Sequence, residues 1–185
     1  GPTTKNRWSY SSSKAIDEFL SLAYHKEKKL DTIVVRLFNT VGPRQTGQYG
    51  MVVPRFVSQA LHGEPITVYG SGKQVRCFAY VSDVVEALVN LSENDKAVGQ
   101  IFNVGNDNPI SIVELAEKVK KTTNSDSEIK YVSYEEAYEE GFEDMSIRVP
   151  DLTKIKKLIG YEPKVHIDEI LKNVVEYFAT ANTKE

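Results

Sequence analysis

Ile33-Val34-Val35-Arg36-Leu37-Phe38 is the stretch that decides the fold. It is a short, nearly unbroken apolar run rich in β-branched residues, the composition of a strand covered on both faces in a parallel sheet. Upstream, Ile16, Phe19, Leu20 and Ala23 recur at i, i+3, i+4 and i+7, so an amphipathic helix is expected over 9–29. A helix followed by a buried strand is the second half of a βαβ unit. The expected class is α/β.

Downstream, a loop of Gly, Pro and Gln runs from Gly42 to Gly50, and Pro54 opens a helix to about Leu61. Ile66–Tyr69 reads as a strand stopped by Gly70-Ser71-Gly72. Val75, Cys77, Ala79 and Val81 alternate with Arg76, Phe78 and Tyr80, so a strand with two distinct faces is expected there. Asp83 and Glu86 suit a helix start, with Val84, Leu88 and Leu91 on one side. Ile101–Val104 is a further strand. Ser111-Ile112-Val113-Glu114 is a capping box, with a stripe of Ile112, Leu115, Ala116 and Val119 behind it. Residues 122–150 are polar, with a strand near 129–132 and an acidic, solvated stretch at Glu135–Glu140. A short helix near 153–158 and a strong one carrying Ile167, Ile170, Leu171, Val174, Val175 and Phe178 close the chain.

With 185 residues the chain holds one domain, or one domain and part of another. A net charge of −3 gives no electrostatic case for nucleic acid. No run of 18 apolar residues is present, and the N-terminus lacks the pattern of a signal peptide. Cys77 is the only cysteine, so no internal disulfide forms, and a cytoplasmic setting is the default expectation. His25, His62 and His166 are isolated and lack ligand spacing, so no metal site is expected.

Tyr10-Ser11-Ser12-Ser13-Lys14 places a phenol and an ammonium four apart, on one face of the expected helix. An ammonium beside a phenol favours the phenolate and makes a proton-transfer group usable near neutral pH. The same spacing recurs at Tyr24/Lys28 and at Tyr69/Lys73, so an ordinary surface pair is the alternative. Gly70-Ser71-Gly72-Lys73 lacks the first glycine and the final Ser/Thr of a phosphate loop and reads as a turn between strands. Arginines number only six, and their rigid fork suits phosphate. Arg76 and Arg148, with an asparagine nearby, are candidates for a diphosphate; two surface salt bridges are the alternative.

Taken in order, the blocks Ser9–Lys14, Arg36–Arg44, Gly50–Phe56, Val68–Arg76, Tyr80–Val84 and Phe102–Gly105 resemble the C-terminal half of an extended short-chain dehydrogenase/reductase. The group they resemble is the NAD-dependent nucleotide-sugar epimerases and dehydratases, and the likeness runs from about residue 7 to 178. It implies the C-terminal part of a Rossmann-type parallel sheet plus a smaller substrate-binding α/β domain. Residues 1–45 would be the remnant of the NAD-binding domain, and 46–185 mainly the substrate domain, with segments returning to the Rossmann sheet.

The resemblance also implies roles. Tyr10 is the catalytic base, and Lys14 its partner and a ligand of the nicotinamide ribose. Thr40 lies near the nicotinamide. Asn39 contacts the diphosphate of the sugar nucleotide. Val53 and Phe56 border the nucleotide, while Val68 and Tyr69 frame its base. Arg76 and Arg148 hold the diphosphate, with Asn103, and Asp151 lies near the ribose. Asp83 is structural, as a helix start. The implied cofactor is NAD, the implied substrate a UDP-sugar or related nucleotide-sugar, and the implied assembly a homodimer through the 9–29 helix. In a full-length member the dinucleotide-binding loop and the Ser/Thr partner of the tyrosine precede Gly1, so this stretch alone is expected to be inactive. Met51 stands where decarboxylases tend to carry arginine, which favours a UDP-glucose 4-epimerase-like reaction over UDP-glucuronate decarboxylation. A dTDP-glucose 4,6-dehydratase and a non-catalytic nucleotide-sugar-binding module are the other readings.

Overall fold

The computed structural model describes residues 7–47, 51–137 and 145–181. Gly50, at the end of the expected loop, and the 138–140 portion of the acidic stretch lie outside them. In chain order the elements are α1 (Arg7–Lys28), β1 (Ile33–Leu37), β2 (Thr40–Val41), α2 (Val52–Leu61), β3 (Ile66–Tyr69), β4 (Val75–Arg76), β5 (Ala79–Tyr80), α3 (Val81–Ser92), β6 (Gln100–Val104), β7 (Ile110–Ser111), α4 (Ile112–Thr123), β8 (Ile129–Val132), α5 (Tyr134–Ala137), α6 (Thr153–Ile159) and α7 (Ile167–Ala181). A 3-10 turn occupies Asp95–Ala97.

Three strand pairs are parallel. β1 runs beside β6 with Ile33 opposite Gln100 and Leu37 opposite Val104. β2 pairs with β5 and β3 with β8; β4 and β7 are antiparallel. The α/β class read from the sequence is the observed one.

Two apolar clusters hold the fold. Val53, Phe56, Val57, Ile66, Val68, Leu115, Val119, Ile170, Leu171 and Val174 join α2, β3, α4 and α7. Ala79, Val84, Ala87, Leu91, Phe102, Val104, Leu152, Ile155 and Tyr161 join α3, β6 and α6, with Ile33 and Val35 against them. Ser111 caps α4 as its sequence demands: its hydroxyl accepts from the Glu114 N–H, and Glu114 accepts from the Ser111 N–H.

Several expectations are corrected. α2 begins at Val52, so Pro54 sits later in the first turn, where its missing N–H still costs nothing. The strand expected from Val75 to Val81 is broken in two. β4 takes β7 as partner and β5 takes β2, and the crossover buries Cys77, Phe78 and Ala79 in succession. Three adjacent buried side chains cannot keep a period of two. Val81 opens α3 and Tyr80 is its N-cap. Asp83 therefore lies in the first turn of the helix, as expected, two residues past its first position. It is buried, and its Oδ2 accepts the N–H groups of Lys164 (2.9 Å) and Val165 (3.1 Å). Leu88 is exposed, and Ala87 takes its expected place in the core.

β1 is not covered on both faces. Ile33–Val35 are half-buried, while Arg36 and Leu37 are exposed. On the Arg36 side, α1 gives the strand little apolar cover. Its half-buried face is Glu18, Ser21, Leu22 and His25. Its apolar stripe of Ile16, Phe19, Leu20 and Ala23 points the other way, with Phe19 75% exposed. The helix is amphipathic, but its apolar side leaves the body of the protein.

The free edge of β3 is closed by side chains. Ile66 and Gly70 donate toward β8, to the carbonyls of Glu128 and Val132. By alternation Thr67 and Tyr69 turn their polar groups outward. The Thr67 N–H donates to Gln59 Oε1 (3.1 Å) and its carbonyl accepts from Arg55 Nη2 (3.2 Å). The Tyr69 carbonyl accepts from Gln74 Nε2 (2.9 Å).

Candidate active site

α1 and β1 are antiparallel neighbours, fixed at two levels. The Thr32 hydroxyl donates to the Ser21 carbonyl, and Arg36 grips Glu18 through two hydrogen bonds of 2.6 Å. From the Glu18/Arg36 level, Tyr10 lies about 12 Å up the helix and Thr40 about 13 Å along the strand path. The N-terminal end of α1 therefore comes level with the carboxyl ends of β1 and β6. In open parallel sheets this is the end where ligands bind.

Asn39, Thr40, Asn103, Arg148 and Asp151 gather there. Asn39 has a φ of 30°, a left-handed backbone uncommon for a residue with a side chain. Its Nδ2 donates to the Cys77 carbonyl (2.8 Å), and its own carbonyl accepts from the Ala79 N–H, so it pins β5 to the turn after β1. Asn103, opposite Arg36, donates to the Asp151 carbonyl at 3.1 Å. The Asp151 carboxylate is held below its ordinary range by hydrogen bonds from Thr153, at the start of α6. Val75 joins the two arginines. Its N–H donates to the Ser146 carbonyl and its carbonyl accepts from the Arg148 N–H, while Arg76 Nη1 donates to the carbonyls of Val75 and Met145. The Arg148 guanidinium stands over the Phe38 ring, 5.3 Å from its centre.

Tyr10 is 71% exposed. The Lys14 ammonium lies 5.8 Å from its ring centre and donates to Asp17 Oδ2 at 2.7 Å. That hydrogen bond, together with the Asp17 charge, raises the Lys14 pKa. Lys14 is thus firmly cationic beside the phenol, with one of its three N–H donors on Asp17. The residues expected to border the nucleotide divide in two. The Val53, Phe56 and Val68 side chains are fully buried in the core. Tyr69 is half-buried at the end of β3, and the Arg55 guanidinium lies 4.3 Å from its ring centre. A separate cavity of about 610 Å³, lined by Phe78, Asn106, Ile110, Glu114, Lys118 and Ile167 among others, includes none of these residues.

Sequence reading missed Asp17, Phe38, Gln45 and Arg55. Asp17 was findable, because it lies three residues from Lys14 on one helix. Gln45 was not. Its Nε2 donates to the Thr40 carbonyl, while Gln45 Oε1 and Thr40 Oγ1 are both buried without a partner among the described residues.

The chain matches the family described as GDP-mannose 4,6 dehydratase over residues 2–174. It is 42% identical over 96% of its length to the UDP-N-acetyl-alpha-D-glucosaminuronate decarboxylase of Bacillus cytotoxicus, of which it covers 55%. The UDP-glucose 4-epimerase of Thermotoga maritima, solved with UDP-glucose, is 33% identical with a TM-score of 0.78; the match covers 93% of this chain and 52% of that one. The dTDP-glucose 4,6-dehydratase of Bacillus anthracis, solved with NAD, is 28% identical with a TM-score of 0.82, covering 95% and 53%. The chain thus spans about half the length of the relatives it matches. An epimerase was expected, yet this curated relative is named a decarboxylase, and epimerase and dehydratase appear among the solved structures. The chain belongs to the GDP-mannose 4,6 dehydratase family, among the NAD-dependent extended short-chain dehydrogenase/reductases.

Proposed function

We propose that this chain is the substrate-binding half of an enzyme that oxidises C4 of a UDP-sugar, with Tyr10 as the base. What supports the reading is that the Tyr10/Lys14 end of α1 lies level with the carboxyl ends of β1 and β6, where Asn39, Thr40, Asn103, Arg148 and Asp151 gather. Arg76 and Arg148, held on adjacent segments by Val75, bind the diphosphate. Tyr69 frames the base beside the Arg55 guanidinium, while Val53, Phe56 and Val68 shape the wall from within. Tyr10 takes the proton of the C4 hydroxyl.

The residues present fit the nicotinamide end of NAD. Lys14 supplies a cationic donor for the ribose, and the buried, unpartnered Thr40 hydroxyl supplies a polar group at the same end. NAD, when bound, supplies the hydride acceptor. The protein positions the sugar and moves the proton.

The decarboxylase relative at 42% identity supports a UDP-uronic acid substrate that loses carbon dioxide after C4 oxidation. Met51 favours the second reading, epimerisation: at the N-cap of α2, where decarboxylases tend to carry arginine, it provides no cation for a carboxylate. The exposed apolar stripe of α1 supports a homodimer through that helix. On this reading residues 1–45 are a remnant of the NAD-binding Rossmann domain and residues 46–185 are mainly the substrate domain.

The test is product analysis by NMR. The full-length protein with NAD is given UDP-glucuronate, its N-acetyl-glucosamine counterpart, or UDP-glucose. Turnover of one of them, abolished in Tyr10→Phe, is expected. UDP binding without turnover of any would replace the enzyme by a nucleotide-sugar-binding module.

A further inference from the structure

The structure uses Arg36 and Arg148 in opposite ways, although both lie close to Phe38. Arg36 is neutralised by a bidentate carboxylate, Glu18. Arg148 has no carboxylate partner and no side-chain hydrogen bond among the described residues. Its backbone is nevertheless fixed, by its N–H on the Val75 carbonyl and by the bridge between Ile147 and Val75. What holds its guanidinium is the face of Phe38, at 5.3 Å.

Phe38 is itself locked. Its N–H donates to the Val104 carbonyl at 2.9 Å. Gly105 lies directly against it, so close that a Cβ there would come within 2.7 Å of the Phe38 Cβ. The Gly105 carbonyl accepts the Tyr161 hydroxyl at 2.7 Å, so the floor beneath the ring is anchored as well. An aromatic face attracts a cation through its quadrupole, without cancelling the charge or occupying an N–H. A carboxylate would do both. A guanidinium held this way keeps its charge and its fork for an anion. Phe38 is followed directly by Asn39, so that anion would meet a second polar group beside the ring.

We propose that Phe38 is a positioning residue: its ring is the platform that presents the Arg148 guanidinium, uncancelled, to the diphosphate of a bound nucleotide-sugar. This rests on the diphosphate reading given above and adds the device that aims one of its arginines. Phe38 touches no substrate and acts through Arg148.

The experiment is calorimetric titration of UDP into the full-length protein and four variants. Arg148→Ala should weaken UDP binding about tenfold or more. Phe38→Leu should weaken it roughly three- to tenfold, the worth of a partly desolvated cation–π contact. Phe38→Met serves if the leucine variant is unstable. Phe38→Tyr keeps an aromatic face and should bind as the parent does. In the Arg148→Ala background, Phe38→Leu should have no further effect. Unchanged affinity in Phe38→Leu alongside a loss in Arg148→Ala overturns the platform and leaves the diphosphate reading intact. A Phe38→Leu loss that persists in full without Arg148 also overturns it, because the ring would then only be packing. Unchanged affinity in Arg148→Ala removes the diphosphate reading, and the platform with it.

Discussion

Glu18 and Arg36 set the height at which helix α1 meets strand β1, through two charge-assisted contacts of 2.6 Å. The N-terminal part of the helix, which carries Tyr10 and Lys14, extends from that contact and from the Ser21–Thr32 bond.

Glu18→Gln should cost only about 1 kcal/mol of stability, since the Arg36 side chain is half-exposed. On the proposed reading it should cost far more in turnover, because Tyr10 shifts relative to Asn39 and Thr40. Hydrogen exchange of the α1 amides would show the loosening. The Arg36 guanidinium holds the Glu18 carboxyl below its ordinary range. Its contribution is therefore present above the unfolded carboxylate pKa and is lost as pH falls through the lower folded value.

Asp83 ties the 164–165 segment to α3 from a buried position. Asp83→Ala strands two backbone N–H groups and leaves a small void. A loss of about 2 to 4 kcal/mol is expected in urea unfolding. Asp83→Asn keeps an acceptor and should lose less. Equal stability of Asp83→Ala and the parent would remove this role.

Alkaline unfolding should be led by Tyr161. Burial, reinforced by the charges of Asp83, Asp107 and Glu86, pushes its phenol up to about 12. The folded state therefore keeps a proton that the unfolded chain releases near 10. Stability contributed by Tyr161 is complete below pH 10 and is lost as pH rises toward 12. Tyr161→Phe should flatten that decline and cost about 1 kcal/mol at neutral pH, through the lost bond to Gly105.

Cys77 is 1% exposed, and burial raises its thiol to about 11. A thiol-specific reagent at pH 8 should leave it intact in the folded protein and label it fully in denaturant. Rapid labelling without unfolding would show that the β4–β5 crossover opens.

Local patterns carried most of the elements. The capping box at Ser111, the β-branched run at Ile33 and the stripe from Ile167 to Phe178 each match the observed structure, because their signals lie within one element. The misses share a different cause. The 75–81 stretch changes partner halfway, and the side chain of Asp83 answers to residues some eighty positions away. The periodicity of α1 revealed a helix without revealing that its polar face turns inward. At the site, the family resemblance pointed to Arg148, Asn103 and Asp151. The ring under Arg148 and the aspartate on Lys14 depend on side-chain placement that no spacing rule encodes.

Because Gln59 and Arg55 grip both polar groups of Thr67, helix α2 and strand β3 are riveted into a single plate. Any sliding of the helix must drag the strand end with it, and with that the aromatic ring of Tyr69 on which Arg55 rests. On the proposed reading, entry of a nucleotide must be accommodated by the loops that flank this plate, since its two components cannot part without exposing a bare backbone edge.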